Sequence, residues 1–203
     1  MIAIIDYDAG NIKSVEKAVQ FLGEEAIITR DRDVIMDSSG VILPGVGSFG
    51  DAMGKINEYG LKNVIYDVVD SGKPFLGICL GLQLLFKTSE ETPGVTGLEI
   101  VDGQILRIPD APELKIPPIG CNSLDINPKA RLFKGLPEHP YVYFVHSYYL
   151  KADHEEDVAA STFYSTNIHA SIEHGNVFAC QFHPEKSSTV GLQILKNFIE
   201  LEA

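Results

Sequence analysis

The chain has 203 residues, of which 45% are hydrophobic and 22% charged, and 16 Lys and Arg against 28 Asp and Glu give a formal charge of −12 at pH 7. This length and apolar content predict one domain, residues 1–203, with a buried core, and no long polar tract suggests disorder. The acidic balance excludes a general binder of nucleic acid or anionic membranes, which needs a basic face, but leaves small anions open because backbone N–H groups can hold them.

The first residues, MIAIIDYDAGNIKSVEKAV, have no basic n-region and only a four-residue apolar run, so they do not read as a signal peptide. No stretch approaches the roughly 18 apolar residues of a membrane span. The cysteines, Cys79, Cys121 and Cys180, have no Cys-x-x-Cys spacing. A cytoplasmic protein with reduced thiols is expected.

Residues 2–7, IAIIDY, form a β-branched run that predicts a buried strand. Asn11 stands where a helix cap is expected, and Ile12, Val15, Val19 and Leu22 follow at helical spacing until Gly23. AIITR and GVILPG predict two further strands, the second stopped by Pro44 and Gly45. Residues 49–59 and 61–69 read as helices separated by Gly60, PFLGIC as a fourth strand, and residues 80–86 as a helix. Strands alternating with helices through short glycine turns predict a parallel sheet with right-handed crossovers. The second half reads differently. LEIVDGQILRI predicts a hairpin around Asp102 and Gly103, YVYFVHSYYL and VAASTFY read as strands, and IHASIEHGNVFACQFHP predicts a hairpin turned at residues 174–176. Residues 109–118 read as a loop, and LQILKNFIEL as a closing helix with Ser188 as its cap. The expected fold class is α/β in front, with mostly antiparallel β behind.

One cysteine stands out by its neighbours: Gly77-Ile78-Cys79-Leu80-Gly81, between a strand-like run and a helix-like run. A nucleophile elbow places its reactive side chain on a tight strand-to-helix turn, where Cβ atoms two residues away would clash. The sulfur would then stand at the carboxyl end of the sheet, near a helix N-terminus that favours negative charge. A buried structural cysteine in a glycine-broken core segment remains the alternative until a base is found.

CQFHPEKSS supplies a candidate base. His183 precedes Pro184, which pushes it to extended geometry, and in an extended stretch Glu185 points to the same side. The carboxylate can then hold one imidazole nitrogen and leave the other for a thiol, the logic of nucleophile, base and orienter. His146 reads as a half-buried strand histidine among aromatics, and His139, His154, His169 and His174 read as solvated. No His-Glu-x-x-His or similar set predicts a metal. After the third strand, LPGVGSFGDAM is too glycine-rich for core packing at Gly45-Val46-Gly47; a turn there could aim backbone N–H groups at a developing oxyanion together with the N–H of Leu80. It lacks the Lys and Ser/Thr of a P-loop, so no ATP is expected.

Together, GICLGLQLL, PGVGSFGDAM, YFVHSYY and QFHPEKS resemble the class I (triad) glutamine amidotransferase family over essentially the whole sequence. DYDAGNIKSV and the PGVGSFGDAM loop are similar to the branch made of the glutaminase subunits of imidazole glycerol phosphate synthase. The resemblance implies a flavodoxin-like fold: a mostly parallel sheet flanked by helices, with added antiparallel strands in the C-terminal half. It implies that Cys79 attacks the side-chain amide of L-glutamine to give a thioester and ammonia, that His183 shuttles the proton, and that Glu185 orients His183. It places oxyanion donors at Val46 and Leu80, with Gly45 and Gly47 flanking. It places Gln83, one helical turn after the nucleophile, against the substrate, and His146, Ser147 and Tyr148 at the substrate's amino-acid end. It implies no cofactor, no metal, no nucleic acid and no membrane, and a heterodimer with a (β/α)8-barrel cyclase subunit that receives the ammonia.

One segment departs from the family pattern. Pro-His-Met-Gly-Trp-Asn is usual where this sequence has Pro117-Pro118-Ile119-Gly120-Cys121-Asn122. In the family that segment lies towards the synthase partner, so the departure bears on the interface and its gating. Competing readings are the glutaminase subunit of another synthase, such as pyridoxal phosphate synthase, whose loop differs from PGVGSFG; a cysteine peptidase, disfavoured by Glu two residues after His; and a non-catalytic scaffold, which needs no complete set of Cys79, His183 and Glu185.

Overall fold

The computed structural model describes residues 1–201. In the first half, strands β1 (Ile2–Ile5), β2 (Ala26–Thr29), β3 (Gly40–Leu43) and β4 (Phe75–Ile78) alternate with helices α1 (Ile12–Phe21), α2 (Arg32–Asp37), α3 (Phe49–Glu58) and α4 (Leu61–Asp70), and the short α5 (Leu80–Gln83) follows β4. The second half carries β5 (Thr88–Ser89), β6 (Gly103–Arg107), β7 (Ile119–Ser123), β8 (Asp125–Ile126), β9 (Tyr141–Val145), β10 (Tyr148–Ala152), β11 (Val158–Tyr164), β12 (Thr166–His174) and β13 (Val177–Cys180), then α6 (Ser188–Ile199).

An 11-stranded sheet runs β2-β1-β3-β4-β13-β12-β10-β6-β5, with β11 on β12 and β8 on β11. Every pairing from β2 to β13 is parallel; beyond β13 the pairings turn antiparallel, except for β5 with β6. The last strand in sequence thus inserts beside β4, at the centre, with Cys180 opposite Ile78. β7 and β9 form a separate antiparallel pair.

Burial explains the run of Ile, Val and Leu in the parallel strands. β1, β3, β4 and β13 are buried at every position. Alternation sends Ile5, Leu43 and Phe75 to one face against Phe49, Ile56, Ile65 and Val68 of α3 and α4. It sends Ile4, Ile42, Leu76 and Phe178 to the other face against Val19, Ile194 and Phe198 of α1 and α6. Each such side chain contributes about 1.5–3 kcal/mol by leaving water. Among the described residues, no helix is long and apolar enough to cross a membrane.

Several expectations are corrected. No hairpin forms at Asp102-Gly103: β6 pairs with β10 and β5, because a local Asp-Gly signal is outweighed by long-range pairing. YVYFVHSYYL is two strands, β9 and β10, broken at His146 and Ser147 and belonging to different sheets. Asn11 holds the cap position of α1 at φ 64° without a side-chain cap bond. Ser188 is the first residue of α6; Ser187 precedes it, and its hydroxyl donates to the His183 carbonyl at 2.7 Å. The helix read at residues 80–86 ends at Gln83, and α2, capped by Asp31 accepting from Asp33 and Val34 N–H groups, lies between two predicted strands.

Candidate active site

Cys79 follows β4 at φ 56° and ψ −109°, a strained conformation for a residue with a side chain. The neighbouring glycines make the turn possible. A Cβ on Gly77 would lie 2.6 Å from the Gly81 carbonyl oxygen, and one on Gly81 would overlap the Leu43 carbonyl oxygen. Main-chain bonds hold the elbow: Cys79 N–H donates to the Cys180 carbonyl at 2.8 Å, and the Cys79 carbonyl accepts from Leu82 N–H at 3.0 Å.

His183 arrives from the adjacent strand, three residues beyond β13. Its Nδ1–H donates to Glu185 Oε1 at 2.8 Å, which leaves Nε2 as the nitrogen able to exchange a proton. His183 is extended, as expected, but Pro184–Lys186 is a 3₁₀ turn, so the pair meets through that turn and not along a strand. Asn11 Nδ2–H also donates to Glu185 Oε1, at 2.8 Å. His183 Nε2 and Glu185 Oε2 are buried without a hydrogen-bond partner among the described residues. Burial opposes charge on His183, but the neighbouring Cys79 and Glu185 outweigh it and push its pKa up to about 9. His183 therefore carries its proton at neutral pH.

These groups meet at a cavity of about 390 Å³ whose walls include Val46, Gly47, Cys79, Leu80, Gln83, His146, Ser147, Tyr148 and His183. Of the residues singled out in the sequence, Gly45 and Glu185 stand behind this wall. Gly45 bonds to it: Leu80 N–H donates to the Gly45 carbonyl at 3.3 Å. A trans peptide points its C=O and N–H in opposite directions, so Val46 N–H faces away from Leu80 N–H, and the two expected oxyanion donors do not converge here.

His146 is buried, and its Nδ1 bonds to the Tyr148 carbonyl at 2.7 Å. Burial drives its pKa down to about 4, against the Tyr148 carbonyl and with help from His183, so the ring is neutral and its Nε2 is an acceptor. His139, His154 and His174 are solvated as expected, but His169 is buried in β12, where its Nδ1 accepts the Ala152 N–H at 3.0 Å. No group of three or more His, Cys, Asp or Glu among the described residues is arranged to hold a metal ion.

Three contributors escaped the sequence reading. Glu91 is the carboxylate on the cavity wall, with Oε2 accepting the Phe49 N–H at the start of α3 at 2.7 Å. Tyr7, buried, donates its hydroxyl to the Pro44 carbonyl at 2.6 Å, directly before the Gly45 turn. Burial first, then Cys79, raises the Tyr7 pKa, so it stays a donor. Asn11 reaches Glu185 across 174 positions of sequence. None has a local motif: Tyr7 and Asn11 lie in the loop after β1 and reach distant turns, and Glu91, after β5, reaches the start of α3.

The glutamine amidotransferase class-I family matches residues 3–201. The chain belongs to that family. Imidazole glycerol phosphate synthase subunit HisH of Moorella thermoacetica is 48% identical over 200 residues, covering 98% of this chain and 94% of its own. The same subunit of Chlorobaculum tepidum is 47% identical over 201 residues, covering 98% and 100%. Among solved structures, a glutamine amidotransferase overlays with a TM-score of 0.76 at 20% identity over 98% of both chains, a likeness of fold. Cys79 and His183 line the cavity, and Glu185 stands behind His183, bonded to its Nδ1.

Proposed function

We propose that this protein is the glutaminase subunit of imidazole glycerol phosphate synthase. In this reading it hydrolyses L-glutamine and passes the ammonia to a (β/α)8-barrel cyclase, which makes imidazole glycerol phosphate and aminoimidazole carboxamide ribotide in histidine biosynthesis. The observation that carries the chemistry is the His183–Glu185 bond at 2.8 Å beside a cysteine held at φ 56°. The subunit assignment is supported by 48% identity to a HisH subunit over 98% of the chain.

Glutamine enters amide first, its ammonium towards Glu91 and its amino-acid end along His146, Ser147 and Tyr148. Gln83 bounds the pocket beside the nucleophile. Cys79 Sγ bonds to the amide carbon, and the carbonyl electron pair moves to oxygen. His183 gives its proton to the amide nitrogen, the C–N bond breaks, and ammonia leaves a glutamyl thioester. The carbonyl re-forms; water then adds to the thioester carbon as His183 takes its proton, the C–S bond breaks with its electron pair returning to Cys79 Sγ, and glutamate leaves with His183 protonated again. Glu185, held by Asn11, keeps the His183 ring in the required tautomer.

The oxyanion needs donors, and Leu80 N–H is engaged by the Gly45 carbonyl. Rotating the Gly45–Val46 peptide would release Leu80 and bring Val46 N–H to the same place. The partner and its ligand would favour that orientation, a population shift. Beside His146 lies a second cavity of about 290 Å³, lined by Pro118, Cys121 and the exposed Ile119 and Phe163. This apolar rim is the face proposed for the cyclase, and it carries the residues that depart from the family pattern.

The test is glutamate release and imidazole glycerol phosphate formation with purified partner, for the chain and for Cys79→Ala. The reading requires that the variant lose glutamine-driven synthesis and keep synthesis from free ammonia. A glutamine-analogue alkylator should label Cys79 and spare Cys121 and Cys180. Full glutamine turnover in Cys79→Ala would refute it.

A further inference from the structure

The helix after Cys79 has only four residues, so its dipole offers little to a charged sulfur, and individual donors must do that work. One is present outside the triad. Gln181 Nε2–H donates to Cys79 Sγ at 3.7 Å. Gln181 is fully buried just after β13, and its backbone N–H donates to the Ala170 carbonyl at 2.8 Å.

The direction of this bond is fixed by a chain of groups with defined polarity. The Tyr148 carbonyl can only accept, and it receives Gln83 Nε2–H at 3.2 Å and His146 Nδ1–H at 2.7 Å. Gln83 must therefore turn its NH₂ group that way. The same group donates to Gln181 Oε1 at 3.0 Å. With Oε1 engaged, the Gln181 NH₂ group is left facing the sulfur.

We propose that Gln181 is the uncharged donor that aims the Cys79 sulfur and stabilises negative charge on it, with Gln83 and the Tyr148 carbonyl locking its orientation. The proposal deepens the glutaminase reading, on which it rests for the role of Cys79. An amide suits the position. It supports an anion without a second titrating proton beside His183, and without a cation that would hold the sulfur too tightly to attack. The shared Tyr148 carbonyl also ties the nucleophile's donor to His146 on the substrate wall, so the two keep register. A merely structural Gln181 would satisfy buried polar atoms and leave sulfur reactivity untouched.

The experiment compares Gln181→Met, which keeps the length and removes donor and acceptor, with Gln181→Glu, which keeps the acceptor for Gln83. Two quantities are read on the full chain: the rate of Cys79 alkylation by iodoacetamide, mapped by peptide mass, and kcat and KM for glutamine with the partner bound. Gln181→Met should lower both alkylation rate and kcat about tenfold, the factor that one net hydrogen bond supplies, with KM within about twofold. Gln181→Glu should be slowest at alkaline pH, where a carboxylate repels the sulfur, and recover towards pH 6, where a buried carboxyl regains a proton to donate. Unchanged alkylation in folded Gln181→Met, or a Gln181→Glu pH profile parallel to wild type, overturns the proposal. If neither variant folds, the Gln181 side-chain amide resonance in ¹⁵N-labelled wild type decides: it must shift when Cys79 is alkylated, and a static resonance refutes the contact. Wild type without glutaminase activity but with Gln181-dependent alkylation would defeat the functional reading and leave the donor role standing.

Discussion

The elbow at Cys79 and the glycine loop at residues 45–47 border the same cavity, yet the chain holds them in different ways. At the elbow, Gly77 and Gly81 are pressed against main-chain atoms of Gly81 and Leu43, so the backbone has no room to move. Gly47, at φ 102°, has nothing within 4 Å of where a Cβ would stand. Gly45 lies between: it is wedged against the Tyr7 hydroxyl and Leu80, and the Tyr7–Pro44 bond anchors the residue before it. The proposed nucleophile is thus fixed, while the peptide proposed to supply an oxyanion donor is pinned at Gly45 and followed by open space at Gly47. In the proposed reading, such a site keeps its reactive group aimed and leaves its electrostatic support to the peptide that the partner reorients.

Substitutions that probe each region should separate the two. Gly81→Ala forces a Cβ onto the Leu43 carbonyl oxygen, where no side chain can yield. It should destabilise the fold by about 3 kcal/mol or more, read by urea unfolding, with loss of all turnover. Gly47→Ala meets open space and bears only the cost of a positive φ, about 1 kcal/mol, so it should fold; its defect should lie in activation by the partner. Equal stability of the two variants would erase the contrast.

The movable half should show itself in rates. Since one oxyanion donor is worth about 10²–10³ in kcat, glutamate production should rise by up to that factor from chain alone to chain with partner and partner's ligand. Equal rates in all three conditions would mean that the Gly45–Val46 peptide does not gate the reaction. Glu185→Gln addresses the fixed half. It should cost about 10²-fold in kcat/KM in a folded protein, with the partner present or absent, because a neutral amide supports imidazolium poorly. An unchanged kcat/KM would remove Glu185 from the chemistry.

The contrast also governs what could be read from sequence. The elbow was legible because its constraint is local: Gly77 and Gly81 sit two residues from Cys79 and answer to the same turn. His183 and Glu185 were legible for the same reason, although a 3₁₀ turn, and not an extended stretch, brings them together. The parallel strands announced themselves through unbroken apolar runs, since both faces are covered. Contacts that cross the sheet left no such trace. Asn11 looked like a helix cap because capping is the commonest local use of Asn, and its bond to Glu185 depends on how α1 lies against the turn after β13. Gln181 and Gln83 are 98 positions apart and meet only because β13 inserts beside β4. The Asp102-Gly103 pair signalled a hairpin, but its strand found β10 instead.

The smallest expected effect lies in the pH dependence of stability, and it too divides the regions. His183 titrates at about 9 in the folded chain against about 6.5 when unfolded, so the folded state binds the extra proton between these values. Its contribution to stability is complete below pH 6.5 and is lost as pH rises through 9. The slope from this one site is at most about 1.4 kcal/mol per pH unit, reached only where folded His183 is protonated and the unfolded ring is not. Tyr7, on the loop side, stays protonated across the same window and adds no slope. Urea unfolding of wild type, His183→Gln and Tyr7→Phe at pH 6, 7.5 and 9 therefore gives three patterns. Wild type should lose stability with rising pH, and His183→Gln should lose less. Tyr7→Phe should run parallel to wild type but lower by about 1 kcal/mol, the value of its bond to Pro44. Cys79→Ala offers an internal control: removing the sulfur takes away part of what holds the His183 proton, so its slope should fall between wild type and His183→Gln. Should Cys79→Ala keep the full wild-type slope, the sulfur and imidazole are not coupled, and the fixed half of the site is less tightly assembled than its geometry implies.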